Sequence, residues 1–174
     1  MLKYKNIFFL VVIATVALMA TASTSCNNIR YSFRDVSIPD SIKTFKVNYI
    51  ENKATYINPQ ISPQLTDRLR QKIVQQTRLK QTNGDADWEI NGTITEYTFS
   101  TSGISNQQSV SNRINITVQI EVNNLREGEI VPYSVSRNFD FPSTQTLQQA
   151  EVELLNKIIQ GLADDIFNRL FSQW

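Results

Sequence analysis

The chain predicts an α+β fold, a two-layer sandwich with two helices on one face of a four-stranded mixed sheet. The predicted order is strand, helix, strand, strand, strand, helix. Three patterns carry this. Ile114, Ile116, Val118, Ile120 and Val122 alternate with Asn115, Thr117, Gln119 and Glu121, as in a strand buried on one face and wet on the other. Leu65, Leu69 and Ile73 recur every four residues with Val74 beside them, the spacing of one helix face. A wide apolar stripe then runs through Leu154, Leu155, Ile158, Ile159, Leu162, Ile166, Phe167, Leu170 and Phe171, enough to cover a sheet.

The elements follow in order. Ile38-Pro39-Asp40 marks a turn. Residues 44–50 alternate with Phe45, Val47 and Tyr49 on one face and read as the first strand. A polar loop follows from Asn52 to Gln60. Ser62-Pro63 predicts a helix start, with Ser62 as cap and Pro63 at the first helical position, running to about Thr77. After the Asn83-Gly84 turn, Trp88, Ile90 and Ile94 share a face, whereas Tyr97 and Phe99 fall on the opposite parity. A bulge or bend between Gly92 and Glu96 reconciles them. Gly103 to Ser109 reads as a polar loop before the cleanly alternating strand. Asn124 to Gly128 turns the chain into a last strand with Tyr133, Val135, Arg137, Phe139 and Phe141 on one face. The closing helix spans about Thr146 to Trp174.

The N-terminus has a separate logic. Lys3 and Lys5 precede an apolar run from Ile7 to Ala20, and small residues lead to Cys26, the one cysteine of the chain. This is the layout of a secretory signal. Cys26 after Ser25 resembles a bacterial lipobox, which implies a thioether-linked diacylglycerol, cleavage before Cys26 and acylation of the new amino group. Position −3 is Ser23 rather than Leu. An ordinary signal followed by a stray cysteine, or an uncleaved anchor, remain the other readings. The run is shorter than the roughly 20 residues a spanning helix needs. Residues 1–25 are thus read as a signal peptide, 26–43 as a lipidated tether and 44–174 as one domain.

Composition narrows the chemistry. Hydrophobic residues make up 41% of the chain, enough for a folded globule. One cysteine excludes an internal disulfide, and histidine is absent. The usual general base near neutral pH and the commonest metal ligand are therefore missing. No catalytic residues, metal or cofactor are expected. Asp164-Asp165 point about 100° apart on a helix and read as a solvated face. Asp85, Asp87 and Glu89 lack the run of ligands of a calcium loop and read as a turn and an exposed strand face.

Charge is uneven. Arg30 to Lys80 holds ten Lys/Arg against four Asp/Glu, and Gln81 to Trp174 holds five against twelve. Such asymmetry points either to an anionic partner or to pairing between the halves. Arg68, Arg70, Lys72 and Arg78 lie on the first helix and its end. Guanidinium and ammonium groups suit phosphates, so these four are candidate lipopolysaccharide or anion-binding residues. A solvated helix face is the plain alternative. An exported lipoprotein is a poor match for nucleic acid.

Several segments together resemble one family. Cys26 is followed by Tyr31-Ser32-Phe33, a strand follows Ile38-Pro39, and Asn58-Pro59 leads to Ser62. Glu89-Ile90-Asn91-Gly92-Thr93-Ile94-Thr95-Glu96-Tyr97 and Asn112-Arg113-Ile114-Asn115-Ile116-Thr117-Val118 come next, and Asp165-Ile166-Phe167-Asn168 closes the set. In these the chain resembles the LptE family of lipopolysaccharide-assembly lipoproteins. The resemblance implies a non-enzymatic outer-membrane lipoprotein on the periplasmic side. It would plug the LptD β-barrel, assist its assembly and take part in carrying lipopolysaccharide to the cell surface. Only Cys26 carries over residue by residue. The other function class to weigh is a periplasmic adaptor lipoprotein of a different transport or secretion complex. An envelope hydrolase lacks its catalytic constellation.

Overall fold

The computed structural model describes residues 38–105 and 108–172. The signal segment, Cys26, most of the tether and Trp174 lie outside the described residues. The chain enters through a turn in which the Ile42 N–H donates to the Pro39 carbonyl at 3.0 Å. Strand β1 (Thr44–Val47) follows, then β2 (Glu51–Asn52), helix α1 (Ile61–Gln76), β3 (Lys80–Gln81), β4 (Trp88–Ser105), β5 (Gln108–Asn124), β6 (Glu129–Pro142) and helix α2 (Leu147–Phe171). The sheet order is β3-β1-β4-β5-β6, with β2 also pairing β4. The β1, β2 and β3 contacts are parallel and the β4-β5-β6 meander is antiparallel.

The two-helix α+β class and the mixed sheet agree with the expectation, but the sheet has six strands rather than four. The extra members, β2 and β3, are two residues long and too short to show alternation. The expected polar loop from Gly103 to Ser109 is also corrected. β4 continues to Ser105 and β5 begins at Gln108. Here hydroxyl residues on both faces, including Ser102 and Ser111 paired at 2.9 Å, erase the apolar period without breaking the ladder. The predicted bulge is present, with the register shifting between Ile94 and Glu96.

Helix α1 starts one residue before Ser62. Gln60 occupies the cap position in a helical conformation without a side-chain cap bond, and the Asn58 side chain accepts the Gln60 N–H instead. Asn58-Pro59 therefore sets the entry, and Ser62 is buried in the first turn. Helix α2 is capped as its sequence suggests, with Thr146 and Gln149 exchanging bonds in a capping box.

Both helices pack against the apolar face of the sheet. Leu65, Leu69 and Ile73 of α1 and Ile158, Leu162 and Ile166 of α2 join the β5 isoleucines in one core. Gly92 makes room for the close approach of Ile50. A Cβ there would fall 2.8 Å from Ile50 Cγ1 and 3.1 Å from Ile120 Cδ1. Gly128 turns the β5-β6 hairpin at a φ of 69°, a conformation that glycine adopts at low cost.

Asp87 ties three segments together. Its carboxylate accepts the backbone N–H of Lys43 at 2.8 Å and of Thr44 at 2.9 Å, and pairs with Arg126. Its own N–H donates to the Thr44 hydroxyl. The expectation of an exposed turn therefore fails for Asp87, which is 9% exposed. The lead-in, β1 and the β5-β6 turn all meet at this carboxylate. The opposite end of the sheet carries the β4-β5 tip.

Candidate functional site

The four basic residues proposed from sequence do not form one cluster. Arg70 donates from Nε and Nη2 to the Val47 carbonyl and pairs with Asp67, fastening α1 to the end of β1. Lys72 pairs with Asp164 of α2 at 2.8 Å and lies 5.1 Å from the centre of the Phe167 ring. It therefore bridges the two helices with a charge pair and a cation–π contact. Arg78 pairs with Asp40 and donates to the Ile38 carbonyl, holding the lead-in. Arg68 is exposed and has no hydrogen-bond or ion-pair partner among the described residues.

Arg68 lines a groove of about 440 Å³ between the helices, with Gln64, Gln71, Asn156 and Gln160. Asn156 and Gln160 also line a second groove of about 550 Å³ between α2 and β6, which includes Arg137 and Lys157. The two grooves flank one polar face of α2. Carboxamides can donate and accept together, whereas Arg and Lys only donate. The surface therefore suits ligands rich in hydroxyl and anionic oxygen. Arg137 is partly occupied, with its Nε 3.3 Å from Asp165. It lies across Gly161, where any Cβ would collide with its guanidinium. Burial pushes the Asp165 carboxyl above its usual range despite Arg137, and the neighbouring Asp164 adds to the shift. The Asp164-Asp165 pair is thus engaged between elements rather than solvated. Lys157 was missed from sequence because it is a lone cation within the acidic half.

The other face of the sheet is polar. Asn48 donates to Glu89 at 2.9 Å and to Asn91 at 2.7 Å. The Asn48 bond, with help from Lys46, holds the Glu89 carboxyl below its usual range. The Thr117 hydroxyl donates to Glu96 and lies 3.1 Å from the Ser136 hydroxyl. Arg113 and Asp140 form a two-bond pair at 2.6 and 3.0 Å. Charge asymmetry is only partly consumed between the halves, through Lys46–Glu89 and Lys72–Asp164.

Glu151 is the buried carboxyl of α2, 6% exposed. It accepts the Tyr97 hydroxyl at 2.6 Å and the Tyr56 hydroxyl at 2.9 Å. Burial, then the bond to Glu151, raises the phenol pKa of both tyrosines. The contact joins β4, the loop before α1 and α2. Among the described residues no group of acidic or cysteine side chains could hold a metal ion. Nor is any described helix long and apolar enough to cross a membrane.

A two-helix, one-sheet α+β module with an uncharged polar sheet face is the structural class these features define. Residues 42–170 match the LptE family model, described as lipopolysaccharide-assembly, and the chain belongs to that family. Similar solved structures include a minor lipoprotein of Acinetobacter baumannii. It is 16% identical with a TM-score of 0.48, over 72% of this chain and 90% of that one. Rare lipoprotein B of Shewanella oneidensis is 12% identical with a TM-score of 0.48, over 74% and 91%. The hypothetical protein CT253 of Chlamydia trachomatis is 5% identical with a TM-score of 0.50, over 76% and 99%. At such identities the likeness concerns the fold alone. No curated protein matches the chain.

Proposed function

We propose that this chain is a non-enzymatic lipoprotein of lipopolysaccharide assembly, anchored through Cys26 on the periplasmic side of the outer membrane. There it plugs an LptD-like β-barrel, assists its assembly and takes part in moving lipopolysaccharide to the cell surface. The observation that carries this reading is the family match over residues 42–170. The hydroxyl and carboxamide rows of the open sheet face support it, because the interior of an outer-membrane barrel is itself polar. Affinity purification of the tagged chain from outer membranes is expected to recover a large LptD-like barrel, with Cys26 as the lipid-bearing first residue by mass spectrometry. Outer-membrane material without such a barrel would sink the plug.

Of the four basic residues, Arg68 is the one whose guanidinium is free for a phosphate of lipopolysaccharide, with Lys157 on the neighbouring groove. Arg68→Gln is expected to weaken lipopolysaccharide binding roughly tenfold and flatten its salt dependence. Neutralising Arg70, Lys72 or Arg78 instead lowers folding stability, since their partners are within the fold. Unchanged affinity and salt slope in Arg68→Gln would remove this surface from the binding site.

A further inference from the structure

The two edges of the sheet are defended very differently. β6 pairs only with β5 along its length, and its sequence includes Pro132, Arg137, Asp140 and Pro142. Proline and charge on an edge discourage pairing with another strand. On β4, the side facing β1 and β2 is paired only as far as Ile94. From Glu96 to Ser105 that side pairs with no strand among the described residues. This stretch reads Glu-Tyr-Thr-Phe-Ser-Thr-Ser-Gly-Ile-Ser, with no proline or basic residue and one carboxylate. Threonine, tyrosine and phenylalanine favour extended pairing. Phe99 on this stretch is 64% exposed, and Ile57 near its base is 58% exposed. Tyr56 joins them, with its ring 5.2 Å from the Tyr97 ring.

We propose that two copies of this chain associate through these distal β4 edges, antiparallel and centred on Phe99. Residues opposite one another in an antiparallel pair share a face, so a strand that pairs with itself across a two-fold axis must centre on a residue. Centring on Phe99 sets the exposed ring against its mate on the helix side. Tyr97 then faces Thr101, and on the open side Thr98 faces Ser100. Glu96 falls opposite Ser102, so no like charges meet. The contact is isologous and closed, with one residue set serving both copies. A closed barrel wall has every strand paired and is a poorer occupant of a bare edge. The inference does not rest on the lipopolysaccharide reading.

A contact this small is transient, so covalent trapping is the readout. All chains carry Cys26→Ser, leaving only the introduced thiol. Full chains bearing Thr98→Cys and Ser100→Cys are mixed and oxidised in detergent. The mixture is expected to yield severalfold more disulfide-linked dimer than either chain alone. Phe99→Lys, added to both, places two ammonium groups face to face and abolishes the excess. Ser134→Cys, on the defended edge, stays monomeric. A mixture no better than its components, or an excess that survives Phe99→Lys, overturns the proposal. Neither outcome bears on recovery of the barrel.

Discussion

Phe171→Ala is expected to cost about 3–5 kcal/mol of folding stability. The ring is 1% exposed. It lies 4.8 Å from the Phe167 ring and 6.0 Å from the Trp88 ring, centre to centre. Removing it opens a cavity where the last turn of α2 meets the first residue of β4. The loss spreads further, because Phe167 is also the ring that Lys72 faces from α1. Denaturant titration followed by tryptophan fluorescence measures the change as a lower midpoint with an unchanged slope. A cost below about 1 kcal/mol, against the usual range for a buried aromatic, would show that the last turn of α2 stands outside the cooperative core.

The second large effect belongs to Asp87. Asp87→Ala leaves the Lys43 and Thr44 amides and the Arg126 guanidinium without their acceptor, at an expected cost of about 3 kcal/mol. The backbone amide of Lys43, then that of Thr44, and the Arg126 bond hold the carboxyl far below the usual carboxylate range, against the opposing effect of burial. In the unfolded chain the same group titrates near about 3.9. The unfolded state therefore takes up the proton first. The stability Asp87 contributes is complete above that pH and is lost as pH falls toward the folded value. Asp87→Asn should show a smaller loss on acidification than the native chain. Glu89 and Asp140 also have lowered pKa values and act in both proteins, so the difference between the two curves isolates Asp87. Parallel curves would contradict the role given to its charge.

What the sequence made legible follows from burial. Wherever a strand had one dry face, as from Ile114 to Val122, alternation revealed it, and the parity break before Tyr97 located the bulge. β2 and β3 escaped because a two-residue strand has no period. The far halves of β4 and β5 escaped because both faces there are polar, which reads as a loop. The candidate site was less legible. Arg70, Lys72 and Arg78 looked alike as cations on one helix, but their roles depend on the Val47 carbonyl, Asp164 and Asp40, which only the fold brings near. Asp87 looked like a turn residue because the amides it accepts lie more than forty positions away in sequence. Arg68 differs from its neighbours only in having no such partner.

The Asp87 junction also decides how the domain bears load. Lead-in and β1 are joined at one end of β4, and β4, at 18 residues, runs about 60 Å to the tip at the other. β1 is hydrogen-bonded on both sides, to β3 and to β4, and is parallel to each. A pull on the chain before Ile38, directed along the strands, meets the Asp87 bonds first. It then loads the β1 ladders in shear, many bonds at once, rather than peeling them one by one. The domain is built to resist extraction by its own N-terminus along that axis.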